Sequence, residues 1–147
     1  MQAVDIVVVG AGPAGLSFVR SLAGSGLSVA VVEQQKAQVL ADPAFDGREI
    51  ALTHASRQIL ETLGLWQRFD PAEISPMQAA RVFNGGSLFS LDFAARTPAE
   101  GALGWLVPNH LIRRAAWQAV EGQDGLHLYD GVGVEGIIPA ADHSLVQ

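Results

Sequence analysis

β-Branched apolar residues crowd the start of the chain, and the pattern changes abruptly at a cluster of glycines. Ala3-Val4-Asp5-Ile6-Val7-Val8-Val9 reads as a buried strand, Gly10-Ala11-Gly12-Pro13-Ala14-Gly15 as a tight turn, and roughly Pro13 to Ala23 as an amphipathic helix. Gly24-Ser25-Gly26 breaks the helical period. Leu27-Ser28-Val29-Ala30-Val31-Val32 is a second, almost wholly apolar stretch that reads as a buried parallel strand, and Glu33 stands at its end. Gln34 to Asp42 has no period and is expected to be loop. In Phe45 to Leu52, Asp46-Gly47 marks a turn. Between Thr53 and Phe69, Ile59, Leu60, Leu63 and Leu65 recur at helical spacing, with Ser56 a candidate N-cap and Gly64 a break or an end.

Ala79 to Asn84 and Ser87 to Phe93 read as two short strands joined at Gly85-Gly86, so residues 76–96 are expected to hold a β-hairpin. Arg96 to Gly104 is expected to be loop. Asn109 suits the N-cap of a helix reaching about Glu121, with Ile112, Ala115, Ala116 and Ala119 on its apolar side. Leu126 to Tyr129 is a third candidate parallel strand, Val132 to Ile138 another strand, and Ser144 to Gln147 the start of one more. These elements predict an α/β fold of Rossmann type: a parallel sheet with flanking helices and a small β-meander begun at the C-terminus. Residues 1–147 read as one domain, with no internal repeat and no linker. A strand pattern cut off at its start leads us to expect a truncated domain. A three-stranded parallel core would also leave an apolar edge and face needing cover.

Composition narrows the chemistry. The 147 residues are 49% hydrophobic and 16% charged, with mean hydropathy +0.25. No apolar run approaches the ~18 residues of a membrane span. The early run is bounded by Asp5 and the glycines and lacks a basic leader, so it is a strand and not a signal peptide. Absence of cysteine removes disulfides, thiolate metal sites and a cysteine nucleophile. A net charge of −6 with no basic cluster argues against nucleic acid as a partner. The four histidines (54, 110, 127 and 143) form no i, i+4 pair, so no metal is expected; His54 is read as structural. Neither a G-x-S-x-G elbow nor a phosphate-binding G-x-x-x-x-G-K-[ST] loop occurs. Trp66, Trp105 and Trp117 are expected in the core. The plain expectation is a cytoplasmic protein, with a peripheral position at the inner membrane open to it.

The glycine cluster carries the chemistry. G-x-G-x-x-G between a strand and a helix is a dinucleotide-binding fingerprint. Gly10 permits the tight turn, Gly12 lets the backbone approach a pyrophosphate, and Gly15 lets helix and strand pack closely. Pro13, whose missing N–H costs nothing in a first turn, and Ala14 open a helix whose positive end faces the anion. Glu33, about 20 residues beyond the glycines, suits a ribose.

Three stretches carry a family resemblance: Asp5 to Leu16 with Glu33; Asp46-Gly47-Arg48-Glu49-Ile50-Ala51-Leu52-Thr53 running on to Ile59 through Trp66; and Trp105 to Arg113 with Trp117. Together they resemble the N-terminal part of class A flavoprotein aromatic hydroxylases, the p-hydroxybenzoate hydroxylase type, and look most like the ubiquinone-biosynthesis FAD-dependent hydroxylases. The resemblance implies FAD as cofactor, NAD(P)H as reductant and an aromatic quinol precursor as substrate, with the flavin and no side chain of this chain as the catalytic group. It implies that Gly10, Gly12 and Gly15 hold the pyrophosphate, that Glu33 holds the adenosine ribose, and that Arg48 lies over the pyrophosphate and ribityl region. It puts Asn109 near the ribityl chain, Val132 against the adenine through backbone atoms, and the hairpin in the start of a substrate domain. Two later family motifs, a second Asp-Gly and a late Gly-Asp, do not occur in these residues.

Other readings stand beside these. Arg48 can be a surface ion-pair partner of Asp46 or Glu49, Asn109 only a cap, and Val132 plain core. The chain as a whole can be the Rossmann domain of an NAD-dependent dehydrogenase, or a non-catalytic module that self-associates through an exposed sheet edge.

Overall fold

The computed structural model describes residues 3–86, 89–94 and 101–147. The chain runs through β1 (Ile6–Val9), α1 (Pro13–Ser21), β2 (Val29–Glu33), α2 (Ala37–Ala41), β3 (Glu49–Leu52) and α3 (His54–Thr62). It continues through β4 (Ser75–Met77), β5 (Ala79–Phe83), β6 (Ser90–Ala94), β7 (Gly104–Pro108), α4 (Asn109–Val120), β8 (Leu126–Asp130), β9 (Ile137–Pro139) and β10 (Ser144–Val146). The chain divides into two compact units, Met1–Ala44 with Arg113–Gln147, and Phe45–Ile112.

The first unit holds a three-stranded parallel sheet in the order β1-β2-β8. β2 is central, and Val29, Ala30 and Val31 are buried, as its unbroken apolar run requires. Pairing of Val7 with Ala30 and His127, and of Val9 with Val32 and Tyr129, puts these residues on one face. On that face Val9 is 56% and Tyr129 40% exposed, while Ala30 at its centre is buried. Leu16, Val19, Val31, Ala116 and Val120 supply the unit's core. At the start of the sheet Asp5 accepts from the Ser28 N–H (2.8 Å) and hydroxyl (2.7 Å), which pins β1 beside β2. Those bonds hold the Asp5 carboxyl below its ordinary pKa.

Two expectations fail here. Gln34 to Asp42 is not all loop, because α2 forms within it. Its cap is remote: Asp130 Oδ2 accepts the Ala37 N–H (3.0 Å) from 93 residues along the chain. Val132 to Ile138 is not a strand over most of its length; glycines 131, 133 and 136 interrupt it, and only Ile137–Pro139 pairs, antiparallel to β10.

In the second unit β7 lies between β3 and β4, antiparallel to both. This strand covers residues read from sequence as part of a loop and an entry turn. Gly104 makes the pairing possible, since a Cβ there would lie 2.4 Å from the Leu52 carbonyl oxygen. α3 is capped by Thr53, whose Oγ1 accepts the Ser56 N–H (3.1 Å), so Ser56 is the recipient of the cap and not the cap. Gly64, at φ +75°, ends it. β5 and β6 pair as an antiparallel hairpin of exposed residues. Ser87 and Leu88 of the second expected strand, and residues 95–100 around the expected loop, lie outside the described residues.

Candidate functional site

The glycine turn sits at the carboxyl end of β1, the edge where open α/β sheets bind ligands. Gly10, at φ +99°, makes the turn, and its N–H is fixed by the Val32 carbonyl (2.8 Å). Gly15 is a packing glycine: a Cβ would stand 2.3 Å from the Gly10 carbonyl oxygen. Gly12 is different, because a Cβ there meets nothing within 4 Å. The space over Gly12 is therefore free for a ligand. Gly12 caps α1 without any side chain, and Pro13 occupies the first turn. Leu16 takes the Gly12 carbonyl (2.9 Å). The N–H groups of Gly12, Ala14 and Gly15 have no acceptor among the described residues, as the first turn of a helix leaves them. Three free donors at the positive end of a helix suit an anion.

Glu33 is joined to this turn directly. Its Oε2 accepts the Ala11 N–H (2.7 Å) and its Oε1 the Gln35 N–H (2.8 Å). A carboxylate has about four lone-pair positions, so both oxygens can still accept from hydroxyls such as those of a ribose. Val132 donates its N–H to the Glu33 carbonyl (3.1 Å), which leaves its own carbonyl as the backbone group available to a base. Its side chain is 48% exposed, so Val132 is not core.

The second unit gathers Asp46, Arg48 and Asn109. Arg48 donates from Nε (2.8 Å) and Nη2 (2.5 Å) to Asp46 Oδ2, and its backbone N–H reaches Oδ1 (3.2 Å). Asn109 gives its side-chain Nδ2 to the same Oδ2 (2.7 Å) and its backbone N–H to the Arg48 carbonyl (2.9 Å). Asn109 is thus the first residue of α4, buried at 7% exposure, and its side chain binds Asp46 instead of capping the helix. The Asn109 hydrogen bond, followed by that of Arg48, lowers the Asp46 pKa to about 2. Of the two ion-pair partners weighed for Arg48, Asp46 is the one observed. Asp46 as the centre of a cluster was not read from the sequence; its partner Asn109 lies 63 residues away.

Other features are structural. Arg57 pairs with Glu61 (2.7 Å) and lies 4.9 Å and 4.5 Å from the ring centres of Trp66 and Trp105. His54 Nε2 contacts the Ala102 carbonyl (2.8 Å) and its ring meets Trp105 edge-on. A cavity of about 190 Å³ in the first unit is bordered by Leu16, Val31, Trp117 and Leu128. Trp117 Nε1 and Gln123 Oε1, buried without partners, border it, and it is roomy enough for water. A second hollow, along Leu27, Ser28 and Gly125, lies at the amino edge of the sheet, away from the glycine turn. Among the described residues, no group of His, Cys, Asp or Glu is placed to hold a metal ion, and no helix is long and apolar enough to cross a membrane.

The sequence profile described as FAD binding domain matches residues 3–125. Ubiquinone hydroxylase UbiM of Neisseria meningitidis is 50% identical over 128 residues, covering 84% of this chain and 28% of that protein. Ubiquinone hydroxylase UbiL of Rhodospirillum rubrum is 35% identical over 111 residues, 76% of this chain and 25% of that protein. The chain spans about a quarter of the length of these relatives. Among solved structures, p-nitrophenol 4-monooxygenase PnpA from Pseudomonas putida matches at TM-score 0.75 and 18% identity, over 99% of this chain and 36% of that one. The flavin-dependent monooxygenase PieE, solved with FAD and substrate, matches at TM-score 0.71 and 19% identity, over 97% of this chain and 26% of that one. At those identities the likeness is one of fold.

Proposed function

This chain belongs to the FAD binding domain family, and from that premise we propose that it serves an FAD-dependent monooxygenase that hydroxylates an aromatic ring in ubiquinone biosynthesis. FAD is the cofactor; the substrate, a quinol precursor, and NAD(P)H as reductant are the finer parts of the proposal. One observation carries it. The free N–H groups of Gly12, Ala14 and Gly15 stand beside a carboxylate, Glu33, that keeps lone pairs for a ribose. That donor set fits a dinucleotide's diphosphate and sugar.

In this reading Gly10 and Gly15 shape the turn, while Gly12 with Pro13 and Ala14 admits the diphosphate. Glu33 accepts from the adenosine hydroxyls, and the Val132 carbonyl meets the adenine. Arg48 donates to the diphosphate and ribityl region, and Asn109 acts there through its hold on Asp46. When bound, FAD supplies the redox and oxygen chemistry. The residues of this chain bind and orient it. Titration of the purified chain with FAD, read by flavin fluorescence with NAD as competitor, tests the proposal. Saturable FAD binding that NAD does not displace is expected; tight NAD binding without FAD binding would return the dehydrogenase reading.

A second reading concerns assembly. Val82, Phe83, Leu91 and Phe93 of the hairpin are all exposed, as are Val9 and Tyr129 of the parallel sheet. Apolar patches of this kind mark interaction surfaces. We place the hairpin at the start of a substrate domain, and the chain studied alone self-associates through these surfaces. A monomer in light scattering at working concentration contradicts that. A cytoplasmic location, with a peripheral position at the inner membrane, completes the proposal.

A further inference from the structure

We propose that Asp46 is a positioning residue for flavin binding: it fixes one edge of the Arg48 guanidinium and leaves the opposite edge free for the cofactor's diphosphate. The inference rests on the reading of Arg48 as a diphosphate ligand and adds to it a residue that touches no ligand.

Arg48 is two-thirds exposed at the end of a long side chain, and its conformational freedom opposes any one orientation. An isolated surface ion pair would restrain it weakly. This pair is not isolated. Asp46-Gly47-Arg48 forms a tight turn, with Gly47 at φ +70° and the Arg48 N–H bound to Asp46 Oδ1. The Arg48 carbonyl is tied to the Asn109 N–H, so backbone is held at both ends of the residue. Asn109, itself buried, holds the same carboxylate oxygen, Oδ2, at 2.7 Å. The carboxylate is therefore fixed before the guanidinium reaches it. A guanidinium has five N–H donors. Asp46 takes Nε and one hydrogen of Nη2, so three remain, two of them on Nη1, in the plane that suits a second oxyanion. Asp46 stays ionised well below neutral pH, so the arrangement does not depend on pH near neutrality.

The sign of the effect separates this proposal from simple electrostatics. A carboxylate near a diphosphate repels it, so deleting Asp46 for charge reasons alone would tighten FAD binding. Positioning predicts the reverse. FAD affinity is to be measured for the wild-type chain, Asp46→Ala, Arg48→Ala and the double variant, with circular dichroism to verify folding and Asp46→Asn as a milder replacement. Asp46→Ala is expected to weaken FAD binding about tenfold where Arg48 is present and less than about twofold where it is absent, the non-additivity of residues that act through one another. Tighter binding, or equal losses in both backgrounds, overturns the proposal. If Arg48→Ala leaves affinity unchanged, or the wild type binds no FAD, it is the Arg48 reading that fails. A ligand-free measurement then still decides Asp46. Exchange of the Arg48 Nε–H, followed by NMR at neutral pH, should be slowed relative to free arginine in the wild type and not in Asp46→Ala. Exchange in the wild type as fast as for a free arginine overturns the positioning role by itself.

Discussion

The unit of Met1–Ala44 with Arg113–Gln147 presents free backbone N–H groups at a glycine turn, whereas the Phe45–Ile112 unit gathers polar side chains around Asp46. In the first, Gly12, Ala14 and Gly15 expose N–H groups at a helix end, and Glu33, the side chain engaged with the turn among the described residues, accepts a backbone N–H. In the second, Arg48 is aimed by Asp46, which is in turn held by Asn109. Backbone recognition is set by a few glycines in sequence order. Side-chain recognition needs a carboxylate, an amide and a guanidinium brought together across the chain. The first kind is fixed once the fold forms, and the second can be adjusted by single substitutions.

Four substitutions sharpen this contrast, from the largest effect down. Gly15→Val drives a side chain into the Gly10 carbonyl, a backbone atom that cannot move aside, and into Val8. It should cost about 3 kcal/mol or more of stability and eliminate FAD binding; an unchanged urea midpoint would show that α1 does not pack as described. Gly104→Ala makes the same kind of clash in the second unit, with the Leu52 carbonyl. A loss of about 2 kcal/mol is expected, with amide exchange accelerating most in β3 and β7; protection preserved there would contradict the β3–β7 register. Glu33→Gln keeps the shape but removes the charged acceptor of the Ala11 N–H. It should lower stability by about 1 kcal/mol and weaken FAD about tenfold; equal affinity would separate Glu33 from the site.

Asp46→Asn has the smallest effect, present at neutral pH and lost in acid. The folded pKa of Asp46, about 2, lies below the ordinary aspartate value. Its stabilising contribution is therefore complete above about pH 4 and is lost as pH falls toward 2. The stability difference between wild type and Asp46→Asn should shrink over that interval, measured by urea midpoints at pH 7, 3 and 2. A difference that stays constant would mean that Asp46 is not held as described.

What could be read from the sequence follows the same division. β1, the glycine turn, α1, β2 and β8 were legible because each rests on local chemistry: β-branched runs, glycines that permit turns, a proline in a first turn. α2 was not, since its cap, Asp130, comes from the far end of the first unit. β7 was hidden because a short stretch ending in Pro108 acquires strand character only from antiparallel partners on either side. Asn109 was recognised as a residue of interest, but its side chain answers to Asp46 and not to its own helix.

The most direct test of the central claim, that the glycine turn binds the diphosphate of FAD, is Gly12→Val, with FAD affinity and the thermal midpoint measured on the same sample. No protein atom lies within 4 Å of the added Cβ, so the midpoint should fall only by the cost of valine at an N-cap, about 1 kcal/mol of stability, while FAD binding disappears. Wild-type affinity in a folded Gly12→Val protein would contradict the account.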